Sequence, residues 1–473
     1  MNPVRNCMSG KLCRGFSFVV VSYLLLAASS LQAQSEKFGP YLRHAMQVTS
    51  RPLPVMVVMT PVAPDAQSVW SRHNPAEVEY HLKKQSLQIQ WPLRNLANSW
   101  VQSMGVDGKP MIQNYMFLWS SNTMIAKVDQ SILWDIAQVP EVTKIIYDRS
   151  VKLSYSKAAS DQEGEYTYGL QKIGIPRLRE EYPNLLGNGV VVGILDTGID
   201  ANHPELKGKV VAWKDFVKGK DKPYDGNGHG THVAGTIAGE GVGGTQIGVA
   251  PRVHLVIGKI LSDSGSGQLS WIIRGMEWIA NPERKLNTNL RPRVVNNSWG
   301  GSMPADIRTN PFAQEVANWV ALNIFPSFAA GNSGPGTSTI GTPGNLPDAF
   351  AVGATDKNDK ITSFSSRGPV TYTDKDGKRK TIVKPDICAP GYHVLSSIPG
   401  GKYAVYSGTS MATPHLTGAV ALIFQANPNL TVDQVRSILK KSADDLGPAG
   451  LDNDYGAGRL DVFNAVDLVE AMN

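Results

Sequence analysis

Cysteine is nearly absent from this sequence, and its scarcity excludes one common way of stabilising a fold. The 473 residues contain 3 cysteines, and two of them, Cys7 and Cys13, lie in the N-terminal segment. Cys388, in the run KPDICAPG, is alone in the rest of the chain, which therefore cannot form an intramolecular disulfide. We expect Cys388 to be a small buried residue.

The sequence also lacks a strong excess of one charge, an internal repeat and a long low-complexity tract. A net charge of +6 is too modest to indicate a nucleic-acid partner. The most polar insertion, Thr371 to Thr381, carries Asp376-Gly377 and extra lysine and arginine. This pattern predicts a solvated hairpin.

One long apolar run lies near the N-terminus, from Phe16 to Ala28. It follows Arg5, Lys11 and Arg14 and precedes the run Ser-Ser-Leu-Gln-Ala that ends at Ala33. This pattern is typical of a secretory signal cleaved after about Ala33. The run is too short for a comfortable membrane span, although an uncleaved signal anchor is an alternative. We predict a signal peptide at residues 1–33, a secreted protein (extracellular or periplasmic) and no stable membrane insertion after cleavage.

About 440 residues follow the signal, which is enough for two hydrophobic cores. Residues 34–153 predict a small domain whose elements follow the order βαββαβ, a ferredoxin-like α+β arrangement. Its predicted strands are Val55 to Thr60, Gln113 to Trp119, Thr123 to Val128 and Val142 to Tyr147, with a helix from Pro75 to about Met104 and a short helix capped by Asp129. A polar connector follows at 154–165.

Residues 166–473 alternate apolar strands and helices, which predicts an α/β domain with a mainly parallel sheet and helices on both faces. Val190 to Leu195 is an almost continuous apolar run, typical of a strand buried on both sides. Thr431 and Gln434 form a capping box that opens an amphipathic helix.

Asp196 follows that buried strand in the motif DTGID, at the carboxyl end where ligands collect in open α/β sheets. A carboxylate there can accept the Nδ1 proton of a histidine and stabilise its charged form. Taken alone, Asp196 could equally be a helix N-cap or a turn residue.

His229 lies in GHGTHVAG, among small residues that would let a helix start close to the sheet. An imidazole titrates near neutral pH, so it can accept and return a proton during a reaction. His232 follows three residues later, and the pair could form half of a zinc site, but the sequence has no HExxH or HxxEH pattern. We expect His232 to be a buried, hydrogen-bonded structural residue.

Ser410 precedes a mostly apolar helix in SGTSMATPH, and Asn332 closes the run AAGN after a predicted strand. A serine at a helix N-terminus has a backbone N–H that can point at a developing oxyanion. Ser410 could otherwise be an ordinary N-cap, and Asn332 an ordinary turn residue.

The three motifs occur in the order Asp, His, Ser, which excludes α/β-hydrolases and chymotrypsin-like proteases. From about Tyr166 onward the chain resembles the subtilisin-like serine peptidases. The resemblance implies Ser410 as nucleophile, His229 as general base and acid, Asp196 as its orienting carboxylate and Asn332 as an oxyanion donor. The FSSRGP and KPDICAPG runs are most similar to those of bacillopeptidase F-type members.

The resemblance also implies where a polypeptide substrate would bind. The strand Val294 to Ser298, followed by Trp299 and Gly300, would pair with an extended peptide and form one side of a side-chain pocket. Thr342 to Asn345, including Gly344, would lie near the other wall. Trp299 could shape a subsite or simply pack.

By the same resemblance, residues 34–153 are an inhibitory propeptide, with self-cleavage expected in the connector at 154–165. An unrelated accessory domain is the alternative. Catalysis would need no cofactor, and structural calcium is possible at Glu240 to Ile247. That loop is poor in oxygen side chains, so a calcium site there would need backbone carbonyls and Glu205.

Two function classes follow. The first is a secreted serine endopeptidase made as a zymogen, which acts on polypeptides and has its own propeptide as an intramolecular inhibitor. The second is a catalytically idle relative kept as a binding protein. All four site residues are present, which favours the enzyme.

Overall fold

A computed structural model of the chain describes residues 32–62, 75–158, 164–285 and 289–472. Apart from its last two positions, the predicted signal peptide lies outside the described residues. Contacts divide the chain into two units that do not follow chain order. The first unit contains the chain up to Thr60, Gln90–Met116 and Met124–Tyr147, and the second contains Pro61–Ile89, Phe117–Thr123 and the chain from Asp148 onward.

The first unit is built on a four-stranded sheet with the order β2-β3-β1-β4. Its apolar strand β1 is almost fully buried and pairs antiparallel with β4. The predicted βαββαβ order is confirmed, and one further helix, Pro40–Val48, precedes it. Asp129 caps the turn before the helix Leu133–Gln138 by accepting from Ser131 N at 3.0 Å. The elements are α1 Pro40–Val48, β1 Leu53–Met59, α2 Pro75–Gln102, β2 Ile112–Leu118, β3 Thr123–Val128, α3 Leu133–Gln138 and β4 Val142–Tyr147, of which α2, β2 and the first residue of β3 extend into the second unit.

The second unit contains a seven-stranded sheet with the order β16-β13-β12-β11-β7-β9-β8. All its strand pairs are parallel, as the continuous apolar runs predicted. The strands are β7 Val191–Asp196, β8 Val210–Asp215, β9 His254–Lys259, β11 Val294–Asn297, β12 Phe325–Ala329, β13 Phe350–Thr355 and β16 Ile387–Pro390.

The chain leaves β7 toward β9 and β8 on one side, and later strands extend from β11 on the other side. Strand order therefore reverses between β7 and β11. In open α/β sheets the crevice for ligands lies at such a point, beyond the carboxyl ends of the strands.

Helices cover the sheet, as predicted. Helix α9 is the central one, and its residues from Thr409 to Phe424 are all buried. The predicted capping box of Thr431 and Gln434 is present at the start of α10. The helices are α4 Tyr168–Lys172, α5 Ile175–Glu181, α6 His229–Ala238, α7 Leu269–Ala280, α8 Pro311–Ala321, α9 Thr409–Ala426, α10 Val432–Ser442 and α11 Val462–Glu470.

Short strands complete the second unit. They are β5 Ser150–Lys152, β6 Ser156–Ala158, β10 Ser266–Gln268, β14 Val370–Thr373, β15 Arg379–Ile382, β17 Val394–Ile398 and β18 Lys402–Ser407. The hairpin of β14 and β15 is the polar insertion predicted from the sequence. Cys388 is fully buried, as expected. Within the described ranges, no helix is both long and apolar enough to cross a bilayer.

Candidate active site

Asp196 is the last residue of the interior strand β7. It therefore lies at the carboxyl end of the sheet, beside the point where strand order reverses. Its Oδ1 accepts the Thr197 backbone N–H at 2.7 Å and lies 2.8 Å from Nδ1 of the buried His229. A carboxylate in this position holds the proton on Nδ1 and leaves Nε2 as the proton acceptor. The predicted contact between Asp196 and His229 is therefore confirmed.

His229 is the first residue of α6, and a carboxylate that the sequence analysis missed holds this end of the helix. Asp225 accepts from Gly228 N at 2.8 Å and from Thr231 N at 2.9 Å, so it satisfies two backbone donors that a helix start leaves unpaired. A Cβ on Gly230 would lie 2.2 Å from Gly198 O. Only glycine allows the helix to begin this close to the end of β7.

Ser410 is the second residue of α9 and is buried. Its Oγ donates to the Ser298 carbonyl at 2.9 Å, and the Ser298 hydroxyl donates to the Ser410 carbonyl at 2.8 Å. Nε2 of His229 has no hydrogen-bond partner among the described residues. The hydroxyl of Ser410 is thus turned toward Ser298, and the imidazole nitrogen that could take its proton is unpaired.

Asn332 follows β12 and has its side-chain amide oriented by α9. Its Oδ1 accepts from both the backbone N–H and the hydroxyl of Thr409, each at 2.9 Å. This fixes which side of the amide carries the donor, and Nδ2 donates to the carbonyl oxygen of Ser154. An amide N–H aimed at a peptide carbonyl is the geometry that an oxyanion donor needs.

His232 is buried one turn into α6 and has a structural role, as expected. Its Nε2 lies 3.0 Å from Val394 O and 3.1 Å from Ala404 O, and its ring stacks on Tyr406. Burial lowers its pKa to about 3, so the ring is neutral at ordinary pH. Across the described ranges no three metal-ligating side chains come together, and the zinc alternative gains no support.

A cavity of about 490 Å³ opens beside these residues. Ser298, Trp299 and Gly300 line one side of it, and Thr342 and Asn345 line another. Gly344 is not among the residues that line the cavity, and a Cβ on it would lie 3.0 Å from Ala329 O. That Ser298, Trp299, Gly300 and Gly344 contact a substrate remains a prediction.

Trp299 both lines the cavity and packs. Its ring is 4% exposed and lies against Phe312 and Phe328, with centroids 5.9 and 6.0 Å away. Its indole N–H has no partner among the described residues. Trp299 therefore forms a tightly packed part of the cavity wall, and its indole N–H is an unpaired hydrogen-bond donor among the described residues.

The chain passes the site between two short strands, of which the second lies in the predicted connector. Before Ser154, β5 pairs antiparallel with β10; after Tyr155, β6 pairs antiparallel with β18. The start of the predicted connector is thus bound as strand, while its residues 159–163 lie outside the described residues. Sequence reasoning missed this because three-residue strands form only by pairing with distant ones.

The loop from Glu240 to Ile247 has a chemistry that does not suit calcium. The buried Glu205 carboxylate accepts Gly241 N at 2.6 Å, Gly243 N at 3.1 Å and the Tyr403 hydroxyl at 2.6 Å. The loop thus offers N–H groups to a carboxylate, whereas calcium requires six to eight oxygen ligands.

Basic side chains bind three of the side-chain and backbone oxygens in and beside this loop. Arg179 donates to Gln246 Oε1 at 3.0 Å and to Gly248 O at 2.7 Å, and Lys209 donates to Glu240 Oε1 at 2.5 Å. A metal ion here would face two positive charges.

Comparisons with known proteins agree with this geometry. The Subtilase family profile matches residues 187–458. The chain is 35% identical over 387 residues to Bacillopeptidase F of Bacillus subtilis, which covers 74% of this chain but only 26% of that protein. It is 36% identical over 379 residues to Serine protease AprX of the same organism, covering 73% of this chain and 79% of the relative.

A subtilisin of Bacillus pumilus is 39% identical over 298 residues, which is 62% of this chain and 96% of that protein. The match of the family profile to more than half of the chain, the parallel sheet and the paired Asp196 and His229 lead to one conclusion: this chain belongs to the subtilase family.

Proposed function

We propose that this protein is a secreted serine endopeptidase made as a zymogen that cuts its own connector. One observation carries the proposal: the Asn332 amide donates to the carbonyl of Ser154, a residue of that connector, beside Ser410. The names of the relatives, which include a serine protease and subtilisins, support the same activity.

In this proposal the Ser410 hydroxyl turns from Ser298 to Nε2 of His229 and gives up its proton as Oγ attacks a peptide carbonyl carbon. Asn332 Nδ2 and the backbone N–H of Ser410 stabilise the negative oxygen. His229 then gives the proton to the leaving nitrogen as the C–N bond breaks, and an acyl-enzyme remains.

Water completes the cycle by the same route. It attacks the acyl carbon while His229 takes one of its protons, and His229 returns that proton to Ser410 Oγ as the ester bond breaks. Asp196 stabilises the charged imidazole in both halves. No step uses a metal, and we propose that no cofactor is required.

Residues 34–153 act as the propeptide in this scheme. Occupation of the site by the chain's own connector blocks access by other substrates, so the uncut protein is silent. The secretory signal at residues 1–33 is part of the proposal and would deliver the zymogen outside the cytoplasm.

The test is expression of the full chain in a secreting host, as wild type and as Ser410→Ala, followed by intact mass and labelling with a fluorophosphonate probe. Wild type should shorten within the 154–165 connector and label, and Ser410→Ala should do neither. The exposed Ser264→Ala is the matched control and should behave as wild type.

Two results would contradict the proposal. Shortening of Ser410→Ala to the same extent as wild type would assign the cut to a host protease. A folded wild type that neither shortens nor labels would favour the idle binding protein.

A further inference from the structure

The proposed function leaves open which connector bond is cut and what marks it; the following inference rests on that function. We propose that the bond is Ser154–Tyr155, and that it is selected by the aromatic ring of Tyr155, which sits on a platform formed by His229 and Tyr406. Other polypeptides with an aromatic residue directly after the cut bond would use the same platform.

The register before the bond is fixed by backbone pairing. Val151 lies opposite Gly267 and Lys152 opposite Ser266, and the Leu153 N–H then donates to Gly265 O at 2.8 Å. Three consecutive residues are thus aligned as an added strand. This pairing brings the next carbonyl, that of Ser154, to the site.

The Ser154 carbonyl is the one that the oxyanion donor contacts. The Asn332 amide cannot turn away without losing two hydrogen bonds from Thr409, so its N–H stays directed at Ser154 O. Polarisation by this donor makes the Ser154 carbonyl carbon the electrophile.

The register after the bond is fixed as well. Ser156 lies opposite Ser407, Lys157 opposite Tyr406 and Ala158 opposite Val405. The Ser154–Tyr155 bond therefore lies between two paired strands, and a shift of register would break both.

Tyr155 makes the side-chain contacts that distinguish this bond. Its ring centroid lies 4.8 Å from that of His229 and 4.9 Å from that of Tyr406, and its hydroxyl donates to Asn227 Oδ1 at 3.1 Å. The backbone of Gly408 is adjacent, since a Cβ built there would lie 3.6 Å from the Cβ of Tyr155, at van der Waals distance.

The residue directly before the bond offers little to recognise, although Val151, three residues earlier, is buried. Ser154 has a small side chain and borders the 490 Å³ cavity, which a serine cannot fill. Of the two residues that flank the bond, Tyr155 therefore makes the larger side-chain contacts, and its ring packs against the general base.

Ser410 Oγ bonds to the Ser154 carbonyl carbon, its proton passes to His229 Nε2 and then to the Tyr155 nitrogen, and the C–N bond breaks. Water then frees Ser154 as a carboxylate. The propeptide fragment ends at Ser154, and the mature chain begins at Tyr155.

The first experiment measures the mass of the released propeptide fragment at the earliest time point, since later trimming could move the new N-terminus. Wild type should release a fragment ending at Ser154. Tyr155→Phe should cut at the same bond within about twofold of the wild-type rate, and Tyr155→Gly should cut about tenfold more slowly or more.

The second experiment needs no folded variant. Mature wild-type enzyme is given two matched peptides, Val-Lys-Leu-Ser-Tyr-Ser-Lys and Val-Lys-Leu-Ser-Gly-Ser-Lys. The tyrosine peptide should be cut after its first serine with a kcat/KM about tenfold higher or more.

A wild type that labels with the probe but releases a fragment with another end, or equal rates on the two peptides, overturns this inference and leaves the proposed function standing. A wild type that neither labels nor cuts overturns both.

Discussion

The Asn332 side chain uses its oxygen to hold Thr409 and its nitrogen to contact Ser154. Removing it with Asn332→Ala takes away a donor that is most valuable when the carbonyl oxygen becomes charged. We expect kcat to fall by about 100- to 1000-fold with KM little changed, the cost known for loss of this donor in a subtilase. Peptide hydrolysis under saturating and limiting substrate measures the two constants.

The matched control is Asn358→Ala, at an exposed asparagine in a turn. It should leave both constants unchanged. A rise in KM without a fall in kcat in Asn332→Ala would mean that this side chain binds the ground state and the transition state alike.

Among individual residues, the sequence predicted those whose positions are specified by local motifs. Asp196, His229, Ser410 and Asn332 each stand at a strand end or helix start that their neighbours specify. Asp225 and Tyr155 were not predicted, because their roles depend on the approach of distant backbone. The DGNGHG run before His229 was the available signal for Asp225, since a carboxylate before a helix start often caps it.

Two helices carry glutamates that meet at one serine. Ser120 Oγ lies 2.5 Å from Glu315 Oε1 on α8 and 3.1 Å from Glu277 Oε2 on α7, and Trp119 N donates to Glu277 at 2.8 Å. Burial raises the pKa of Glu277, an effect that the hydrogen bonds from Ser120 and Trp119 partly offset. Burial, and next the charge of Glu277, raise the pKa of Glu315 well above its usual range.

A raised carboxyl pKa means that the folded state keeps a proton that the unfolded state has lost. Stability should therefore fall as pH rises above about 4.5, toward the higher folded-state pKa of Glu315. In Ser410→Ala protein, which should not digest itself, Glu315→Gln should flatten this decline and raise the unfolding midpoint at pH 8. Thermal unfolding from pH 5 to pH 8 measures it.

Glu180→Gln, at an exposed glutamate on α5, is the control and should keep the parent pH dependence. A decline that stays as steep in Glu315→Gln would show that Glu315 is ionised throughout this range.

The loop held by Glu205 supports a second prediction about an element. Because the Glu205 carboxylate accepts the loop's N–H groups, we expect no metal to be bound there, and EDTA should leave the unfolding midpoint of Ser410→Ala protein unchanged. Glu205→Gln should lower stability by about 1.5–3 kcal/mol, because it removes charge from hydrogen bonds to two N–H groups and a phenol. Differential scanning calorimetry measures both effects.

Glu180→Gln, at an exposed glutamate on α5, is again the matched control. We expect a change below about 1 kcal/mol. A midpoint that falls in EDTA and returns with added calcium would contradict the assignment.

Elements were predictable where they bury their own apolar residues. The bounds of β3 and β4 match the predicted ones, and β7 differs by one residue at each end. The segments β5 and β6 carry no such pattern, since each depends on a partner more than 100 residues away. Glu205 was considered as a calcium ligand, and its capping of the loop could not be read from composition alone.

For the whole molecule, the binding of the connector in its own site predicts that the cut is intramolecular. The rate constant for shortening should be independent of protein concentration over about a hundredfold range. A tagged Ser410→Ala chain mixed with freshly made wild type should stay intact while the wild type shortens. Mass spectrometry of the mixture follows both chains together.

Asn358→Ala serves as the tagged control chain and should shorten at the wild-type rate. A rate constant that grows with concentration, or early loss of the tagged Ser410→Ala chain, would mean that one molecule cuts another.

The pairing of β5 with β10 and of β6 with β18 also separates cleavage of the connector from the onset of activity. Hydrolysis of one peptide bond changes the connectivity of the chain but none of these backbone hydrogen bonds, so both new ends stay where they were. In the cut molecule, the two paired segments therefore still occupy the active site. The connector bond would therefore be cut at one rate, and activity toward other substrates would appear at another. Activity would appear only after one of these strands dissociates from the site.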